Sequence, residues 1–585
     1  MQKRSSLIRR SALSVALALA AFSQFQAPAA HADVQTIGTW EQLQNVPNFN
    51  PNHQILLTDG SVLFADNGRI QAGSPNWYIL YPDSHGSYVN GTWKQVASMP
   101  NGYAPANAGS AVLPDGRVIV AGGDMNGTPD YVGENYIAIY DPVADKWTMI
   151  DPPNGGKGQF ATISDAPSVM LADGTFMFGP SGNGSTRNTD QQQVALLNLS
   201  TLTWKIIDST GRTGMNPEAG FNLLPNGKIL TIPTNVPDLK IAEILDITTG
   251  TWTSQPLPVS LIDPATAGKG GNNAEIGPSM LMPDGRLFAE GSNSNTAIYD
   301  TKSGTWSAGP SMPVVDGKVD TAIDAPNAIL PSGRVLMELS PINPERGDSA
   351  PPAHFFIFDG SKIIQIQDPP SDASIDRVGS NSARMLVLPN GQVLFNSRMG
   401  PPGLYVYTEG GKPKSEWLPK ITSVPSGLKQ GVTYTLSGTQ LSGLTPGSNF
   451  GDDWNPNSNY PIVQVTNNAT GEVTYGKTFD ITSYSVAPGN ASSTKFTLPA
   501  STPNGASKLR VIASGYASDP IAVTIGEEAQ ATTSTSTAST PAAAPATTTS
   551  SKAPAKKVSI TCVKGSSKKV VTALKPSCPP GFKKK

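Results

Sequence analysis

Residues 111–121 read Ala-Val-Leu-Pro-Asp-Gly-Arg-Val-Ile-Val-Ala, two apolar stretches joined by Asp115-Gly116. Asp-Gly and Asn-Gly between apolar stretches are the strongest short signal for a β-hairpin, because glycine accepts the positive φ that a tight turn requires. Successive turns are 56, 58, 53, 58, 48 and 58 residues apart, so the chain contains seven copies of one unit. The other six turns are Asp59-Gly60, Asp173-Gly174, Asn226-Gly227, Asp284-Gly285, Ser332-Gly333 and Asn390-Gly391.

A tryptophan recurs at a constant place in these units. It follows Tyr140, Leu197, Leu245 and Tyr299 by seven residues each. Four strands in about 50 residues is the size of a kelch-type propeller blade. A residue that recurs once per blade packs between adjacent blades rather than binding a sugar. The repeat therefore predicts a core position for Trp93, Trp147, Trp204, Trp252 and Trp306.

The ends of the array predict how it closes. The stretch from Thr39-Trp40 has the form of an outer strand without its hairpin, whereas the seventh unit lacks a tryptophan. We therefore predict that the N-terminal strand completes the seventh blade and hides the last sheet edge. Residues 418–526 alternate as strands without further hairpins and predict an immunoglobulin-like sandwich. The sequence therefore predicts an all-β fold class, a seven-bladed kelch-type β-propeller (33–417) followed by an immunoglobulin-like β-sandwich (418–526).

Composition and charge bound the remaining segments. Residues 1–32 have the order of a secretory signal peptide, and no later apolar run is long enough to cross a membrane. The whole chain carries −2, of which residues 1–32 contribute +4 and residues 527–585 contribute +8, so residues 33–526 carry −14. This negative charge disfavours binding of residues 33–526 to the phosphates of nucleic acids. Localisation is expected to be extracellular or at the cell surface.

The C-terminal region is unlike the rest of the chain. Residues 527–557 are rich in Ala, Thr, Ser and Pro and predict a disordered linker. Residues 558–585 form a short basic module with the two cysteines of the chain, Cys562 and Cys578. An even count in an oxidising compartment favours a disulfide between them. Such a tail suits an anionic surface, although a tail without a partner is an equal alternative.

Seven hairpins followed by one sandwich resemble the galactose oxidase and glyoxal oxidase family. The resemblance covers roughly residues 34–526, and Pro419-Lys420-Ile421-Thr422 and Leu436-Ser437-Gly438-Thr439 resemble the opening of the family's sandwich. It implies a secreted protein with a kelch-type propeller and a C-terminal early-set domain. It also implies a copper ion held by two tyrosines and two histidines, one tyrosine being cross-linked to a cysteine.

The residues that the resemblance assigns to copper are absent. Counted from the hairpin glycines, those positions hold Asn107, Asp165 and Asn381-Ser382, and residues 419–526 contain no histidine. The mature chain retains three histidines, expected to be isolated surface or loop residues: His53, His85 and His354. We therefore expect neither copper nor radical oxidase activity.

The same offset identifies candidate ligand-binding residues around the ring. If the repeat is real, these side chains converge at one end of the propeller, where grouped carboxylates could bind a ligand or a cation, or serve in hydrolysis. Capping of nearby backbone amides is the structural alternative. The candidates are Asn107, Asp165, Glu218, Glu275, Asp324, Asn381 and Ser382.

A second acidic run resembles a calcium loop in composition only, since it lacks EF-hand spacing. Its candidate ligands are Asp452, Asp453, Asn455 and Asn457, and Trp454 within it is expected to be buried. The sequence thus predicts a noncatalytic secreted protein that binds carbohydrate, a cation such as calcium, or a cell-envelope component at the propeller mouth. The alternatives are an extracellular hydrolase or lyase acting on carbohydrate, and a surface-tethered scaffold for protein interactions.

Overall fold

A computed structural model describes residues 34–68, 72–128, 130, 133–182, 191–236, 239–262, 275–343, 345, 347–370, 373–398, 403–451, 453–526, 558–564, 567–573, 577–580 and 582–584. The expected signal peptide and linker lie outside these residues. The chain divides into two compact units, residues 1–533 and 534–585. The described part is all-β, and none of its helices is long and apolar enough to cross a membrane. Its helical turns are the 3-10 segments Pro153–Gly155, Gly158–Ala161, Ser380–Ser382 and Ser415–Trp417.

Seven groups of four antiparallel strands, numbered here as sheets 1 to 7, follow one another in the first unit. Sheet 1 has strands Pro51–Leu56, Val62–Asp66, Trp77–Tyr81 and Thr92–Val96; sheet 2 has Gly109–Val112, Val118–Ala121, Ile137–Asp141 and Lys146–Ile150. Sheet 3 has Ser168–Met170, Phe176–Phe178, Val194–Asn198 and Thr203–Ile207; sheet 4 has Asn222–Leu223, Ile229–Thr231, Ile241–Asp246 and Thr251–Pro256. A two-stranded sheet joins Pro105–Ala106 to Met125–Asn126.

The remaining sheets repeat the pattern. Sheet 5 has strands Ser279–Leu281, Arg286–Glu290, Thr296–Asp300 and Thr305–Ala308. Sheet 6 has Asn327–Ile329, Val335–Pro341, His354–Phe358 and Ile363–Gln365, extended by Val314–Val315, Lys318–Thr321 and Ser448–Asn449. Sheet 7 has Arg384–Val387, Val393–Asn396 and Leu404–Thr408, and its fourth strand is the N-terminal Thr39–Gln42, with Trp40 opposite Tyr407.

The hairpin turns explain why the repeat needs Asp, Asn or Ser before glycine. All seven turn glycines have φ between 78° and 89°. The side chain before each glycine accepts a hydrogen bond from the backbone N–H two residues further on, as Asp115 does from Arg117 at 3.1 Å. This local bond stabilises the turn without help from the rest of the fold.

Several of the tryptophans join adjacent sheets through their indole N–H groups, although those of Trp252 and Trp306 make no hydrogen bond within the described residues. The indole N–H of Trp147 donates to the carbonyl of Ala97, directly after the last strand of sheet 1, at 2.9 Å. Trp204 bonds in the same way to Asp151 after sheet 2, at 2.8 Å. Trp40 donates to Gln367 after sheet 6, at 2.9 Å. Trp147 is buried, whereas Trp204 is partly exposed with its ring against Phe178 of its own sheet, and a hydrogen bond links each indole to the preceding sheet.

Residues 418–526 contribute one nine-stranded arrangement. Most of its pairs are antiparallel, and Gly427–Leu428 pairs in parallel with the last strand. Its own apolar core includes Leu436, Val463 and Phe496. The strands are Lys420–Ser423, Gly427–Leu428, Thr433–Thr439, Ile462–Asn467, Val473–Phe479, Ala491–Thr497, Gly505–Ala513, Tyr516–Ala517 and Ile521–Ile525.

A segment of this C-terminal region, residues 445–460 and here called the axial segment, contacts sheets 4 to 7 at or just before their first strands. Its Asn449 lies opposite Asn327 of sheet 6. The Asn449 amide also donates to the Ser279 carbonyl of sheet 5 at 2.7 Å. Contacts with sheets 7 and 4 are the bond from the Val387 N–H to Ser448 Oγ, 2.8 Å, and the approach of Gly220 to Gly451.

The axial segment also contacts sheets 1 to 3. The Trp454 N–H donates to the Ala108 carbonyl, next to sheet 2, at 3.0 Å. The amide of Asn455 donates to the Ser168 carbonyl of sheet 3 at 2.9 Å. The Trp454 ring stacks on His53 of sheet 1 with centroids 4.4 Å apart, and the tryptophan is fully buried, as predicted. The axial segment therefore contacts the first strands of sheets 1, 3, 5, 6 and 7 and the residues just before the first strands of sheets 2 and 4.

The second unit is a small disulfide-linked sheet. Its strands are Val558–Lys564, Ser567–Ala573 and Lys583–Lys584, with the first of these in the centre. A disulfide joins Cys562 to Cys578, with Cα atoms 5.6 Å apart.

Candidate functional site

Three of the candidate residues share an uncommon backbone conformation. Asn107, Glu218 and Asp324 have φ of 51°, 58° and 49°, and each stands a few residues before the first strand of its sheet. Left-handed backbone costs an L-residue about 1–2 kcal/mol, and it also occurs at turn residues outside this group, such as Asp145 and Leu202. The repeat thus places three polar side chains on the same local bend.

These residues belong to a group of polar side chains here called the axial cluster. Asn107 donates to Asp124 at 3.4 Å. Asp324 lies beneath Gly451, where an added Cβ would be 2.5 Å from Asp324 Oδ1, so the glycine permits the close approach. The axial cluster consists of Asn107, Asp124, Glu218, Asp324, Arg384, Arg398 and Asp453.

Two arginines supply positive charge to the axial cluster. Arg384 Nη2 is 3.8 Å from Asp453 Oδ1, and its guanidinium lies 3.4 Å from the ring centroid of Phe450. Arg384 also donates to the carbonyls of Asn381 and Ala383 at 3.2 and 2.8 Å. These bonds hold one fully buried guanidinium between sheet 7 and the axial segment.

Burial and mutual repulsion raise the pKa values of the carboxyl groups. Burial, with the charge of Asp453, raises the pKa of Asp124 to about 8, against the hydrogen bond from Asn107. Burial raises the pKa of Asp453 to about 6, although Arg384 and Arg398 favour its charged form. Burial and the charge of Asp453 raise the pKa of Asp324 well above its usual value. The axial cluster therefore holds both protonated and ionised carboxyl groups near neutral pH.

The same burial acts on the second arginine. It lowers the pKa of Arg398 to about 9, and the positive charge of Arg384 adds to the effect. Because a pKa of about 9 is still above neutral pH, the Arg398 guanidinium stays protonated and remains a hydrogen-bond donor.

Several polar atoms of the axial cluster keep unused hydrogen-bonding capacity. Within the described residues, Asn107 Oδ1, Asp124 Oδ1 and Arg398 Nε make no hydrogen bond. Asp124 is only 5% exposed, whereas Asn107 and Arg398 retain partial exposure. Buried polar atoms without partners are costly, so these atoms are suited to a ligand that supplies the missing bonds.

The other candidates lie near the same ends of the sheets. The carbonyl of Asp165 accepts a bond from Ser181 Oγ at 2.8 Å, and Glu275 precedes sheet 5 with partial exposure. Asn381 and Ser382 lie in a 3-10 turn, where Ser382 Oγ donates to Asn381 Oδ1 at 3.3 Å. Asn381 adjoins the axial cluster through its carbonyl bond with Arg384.

The residues of the predicted calcium loop point in different directions. Asp453 faces Arg384, whereas the Asn455 amide binds the Ser168 carbonyl. Asn455 Oδ1 accepts a bond from the Asn457 N–H at 3.2 Å. Asp452 lies outside the described residues. In the part that is described, no group of three His, Cys, Asp or Glu side chains is arranged to hold a metal ion.

Two expectations about histidine are wrong. His53 is fully buried on the first strand of sheet 1, because Trp454 covers it, and its Nε2 lies 3.2 Å from Ser110 Oγ. Burial lowers its pKa well below the usual value, so the ring is neutral. His354 lies on a strand of sheet 6, 2.7 Å from Asp320 Oδ2. His85 is the exposed loop residue that was expected.

The donor set of the axial cluster does not fit copper(II). Its groups are carboxylates, amides and guanidiniums, whereas copper in proteins prefers imidazole and thiolate. Arg384 and Arg398 would also repel a cation.

Sequence reasoning missed Asp124, Arg384 and Arg398. Asp124 and Arg398 follow the second strands of sheets 2 and 7, which return to the end where the first strands begin. Reading the residues after each second strand, as well as those before each first strand, would have found both.

Comparisons with known proteins give similarity of fold only. No protein-family model and no curated protein matches the chain. A fungal alcohol oxidase of the AA5 family, in complex with copper, is 12% identical over 84% of this chain and 100% of that chain, with a TM-score of 0.43. U3-55K is 8% identical over 63% of this chain and 98% of that chain, with a TM-score of 0.39. The extracellular domain of a hybrid two-component system, BT3049 from B. thetaiotaomicron, is 11% identical over 75% and 52%, with a TM-score of 0.38.

Proposed function

We propose that sheets 1 to 7 are the blades of a kelch-type propeller spanning residues 33–417, and that residues 418–526 form an immunoglobulin-like early-set domain. The supporting observation is the axial segment, because its contacts with five first strands and with the residues just before the other two are what sheets arranged around it would give. Pairing of Thr39–Gln42 with Leu404–Thr408 supports closure of the ring by the N-terminal strand.

We propose that the axial cluster binds a carbohydrate without transforming it. Sugar hydroxyls both donate and accept hydrogen bonds, and the axial cluster offers acceptors on its carboxylates and donors on its arginines. The observation that carries this proposal is the unused capacity of Asp124 Oδ1, a buried atom next to partly exposed polar side chains. In a desolvated site each such bond is strengthened.

An exposed aromatic ring near the axial cluster supports the same ligand class. Tyr136 is 37% exposed, and its carbonyl accepts a bond from the Gly122 N–H, two residues before Asp124. Its ring is held edge-on against Tyr103, with centroids 5.5 Å apart. An apolar ring beside hydrogen-bonding groups suits the two chemical faces of a sugar.

Titration calorimetry of the full-length protein tests the proposal. Galactose, N-acetylglucosamine and cello-oligosaccharides are the probes, and Asp324→Asn and Tyr136→Ala are the variants. We expect saturable binding of one probe, weakened at least about tenfold in each variant, as for the loss of a buried hydrogen bond or an aromatic contact. Asp173→Asn, in a hairpin turn at the other end of sheet 3, is the matched control. Equal affinity of Asp324→Asn and the wild type would reject the site.

A second candidate function is acid–base catalysis on a saccharide. The pKa values of Asp124 and Asp453, about 8 and about 6, differ as do those of the acid and the base in glycosidases. The protonated carboxyl would donate to the leaving glycosidic oxygen, while an ionised carboxylate takes a proton from the attacking water. Release of reducing sugar with a bell-shaped pH profile, lost in Asp124→Asn, would favour this candidate over binding alone.

We further propose that the protein is secreted, carries no copper and uses its basic tail on an anionic surface. The sequence of residues 1–32 supports secretion, and the donor set of the axial cluster argues against copper. Lys569 and Lys584 flank Cys562 in the tail sheet, which supports an electrostatic contact. Metal analysis of the secreted protein tests the copper statement and the calcium prediction together. A role as a protein-interaction scaffold remains the alternative if no saccharide binds.

A further inference from the structure

A large groove lies at the opposite ends of the sheets from the axial cluster. It has a volume of about 1040 Å³ and runs between the turns of sheets 1 and 2 and the C-terminal strands around Val473–Phe479. One wall contains Asp59, Tyr81 and Asp115. None of the axial cluster residues lines it.

The groove is fixed by backbone contacts. The Val473 N–H donates to the Ser84 carbonyl at 2.9 Å, and the Thr478 N–H to the Thr58 carbonyl at 3.3 Å. At Gly60, which has φ of 78°, a Cβ would lie 2.6 Å from the ring of Tyr475. The turn therefore packs directly on this ring, and the two walls cannot separate without losing these contacts.

Apolar surface dominates the lining. Val143 at the rim is 72% exposed, and the side chains of Tyr81 and Phe479 are partly exposed. Prolines complete the apolar walls: Pro82, Pro499 and Pro503. Grooves lined by aromatic residues and proline recognise extended, proline-rich peptides, which lose little conformational entropy on binding.

The charges define the peptide further. Four carboxylates line the groove, against one ammonium group, that of Lys477: Asp59, Asp83 and Glu472, and Asp115, which is paired with Arg117 at 2.7 Å. Among the described residues, no carboxylate lies within ion-pair distance of Lys477, which is half-buried. A basic peptide is complementary to both kinds of charge. Its Lys or Arg side chains can face the carboxylates, while its backbone carbonyls accept hydrogen bonds from Lys477.

We propose that this groove binds an extended, proline-containing peptide segment that carries Lys or Arg. The volume lies at the upper end of the range for small-molecule pockets, which suits a peptide of several residues. This binding site is separate from the axial cluster and does not depend on the carbohydrate proposal.

Fluorescence anisotropy of the full-length protein with a labelled peptide of Pro-Ala-Lys repeats tests the groove. The variant is Asp59→Asn with Asp83→Asn, because asparagine keeps the acceptor oxygen that each aspartate offers to its turn. We expect affinity to fall about twofold to thirtyfold, the range for two exposed charge pairs. Tyr81→Ala, which removes the aromatic wall, should weaken the same peptide.

Matched controls separate this result from general charge effects. Asp173→Asn changes the same turn position outside the groove, and Asp324→Asn changes the axial cluster, so both should leave peptide affinity unchanged. Peptides of Pro-Ala-Glu and Gly-Ala-Lys repeats should bind more weakly. The proposal is overturned by absence of binding, by equal affinity for these peptides, or by equal loss in Asp173→Asn.

Discussion

Replacing Arg384 with methionine tests how the axial segment is held in place. Arg384 and Asp453 are 1% and 6% exposed, so solvent does not screen their interaction. Removing one partner of a buried ion pair costs about 3–5 kcal/mol, because the other charge stays buried. Since Arg398 also stabilises the charge of Asp453, we expect a loss near the lower limit, about 3 kcal/mol.

A double-mutant cycle with Asp453→Asn measures the pair itself. Urea unfolding of the full chain, followed by tryptophan fluorescence, gives the free energies of the wild type, both single variants and the double variant. We expect an interaction energy of about 1–3 kcal/mol between the two positions. Arg117→Met, which breaks the exposed pair with Asp115, is the matched control and should cost at most about 1 kcal/mol. Effects of Arg384→Met and Asp453→Asn that add within about 0.5 kcal/mol would refute the reasoning.

Three further predictions concern pH and the tail. The folded-state pKa of Asp124, about 8, exceeds its usual 3.8, so the wild type loses stability as pH rises between these values. Urea unfolding at pH 5 and 8.5 should therefore show that Asp124→Asn becomes more stable relative to the wild type as pH rises. An equal difference in unfolding free energy at both pH values would contradict this. Burial lowers the pKa of His354, but Asp320 outweighs it and raises the pKa above 6.5. That stabilisation is therefore present below pH 6.5 and lost as pH rises through the folded-state pKa, so His354→Gln should flatten the decline between pH 6 and 9 in the same assay. Cys562→Ser should remove about 3 kcal/mol of stability from the tail sheet, because the disulfide closes a loop of about fifteen residues. Limited proteolysis should then cleave the tail faster than in the wild type. An unchanged rate of cleavage would show that the bond to Cys578 does not constrain the tail.

The repeating parts of the fold could be predicted because their signals are local. Asp115-Gly116 forms its turn through a bond between neighbouring residues, and the same holds for each copy. The tryptophan spacing identified Trp147 and Trp204 as contacts between sheets for a related reason, since a residue at a constant place in every unit meets the same neighbour.

The axial segment could not be predicted, because its contacts join residues far apart in sequence. Asp453 was assigned to calcium from the composition of its neighbours, yet it faces Arg384 of sheet 7. The burial of His53 was missed for the same reason, since the covering ring of Trp454 comes from the C-terminal region. Polar residues at the start of a first strand indicate an exposed loop when the sequence is considered alone. Their burial follows only from the segment that covers them.

The candidate site was predictable in part. The offset from the hairpin glycine found Asn107, Glu218 and Asp324, which share a left-handed backbone. It did not find Asp124 or Arg398, because both follow second strands and the offset was counted only toward the first strands. Two sets of residues supply the axial cluster: those before the first strands and those after the second strands. Position within the repeat identified only the first set.

A crystal structure of the protein soaked with the saccharide that binds best would test the central claim most directly. We predict that the sugar lies at the axial cluster, with hydroxyl groups within hydrogen-bond distance of Asp124, Asp324 and Arg398. A sugar bound elsewhere on the sheets, or a metal ion coordinated by the same carboxylates in its place, would contradict it.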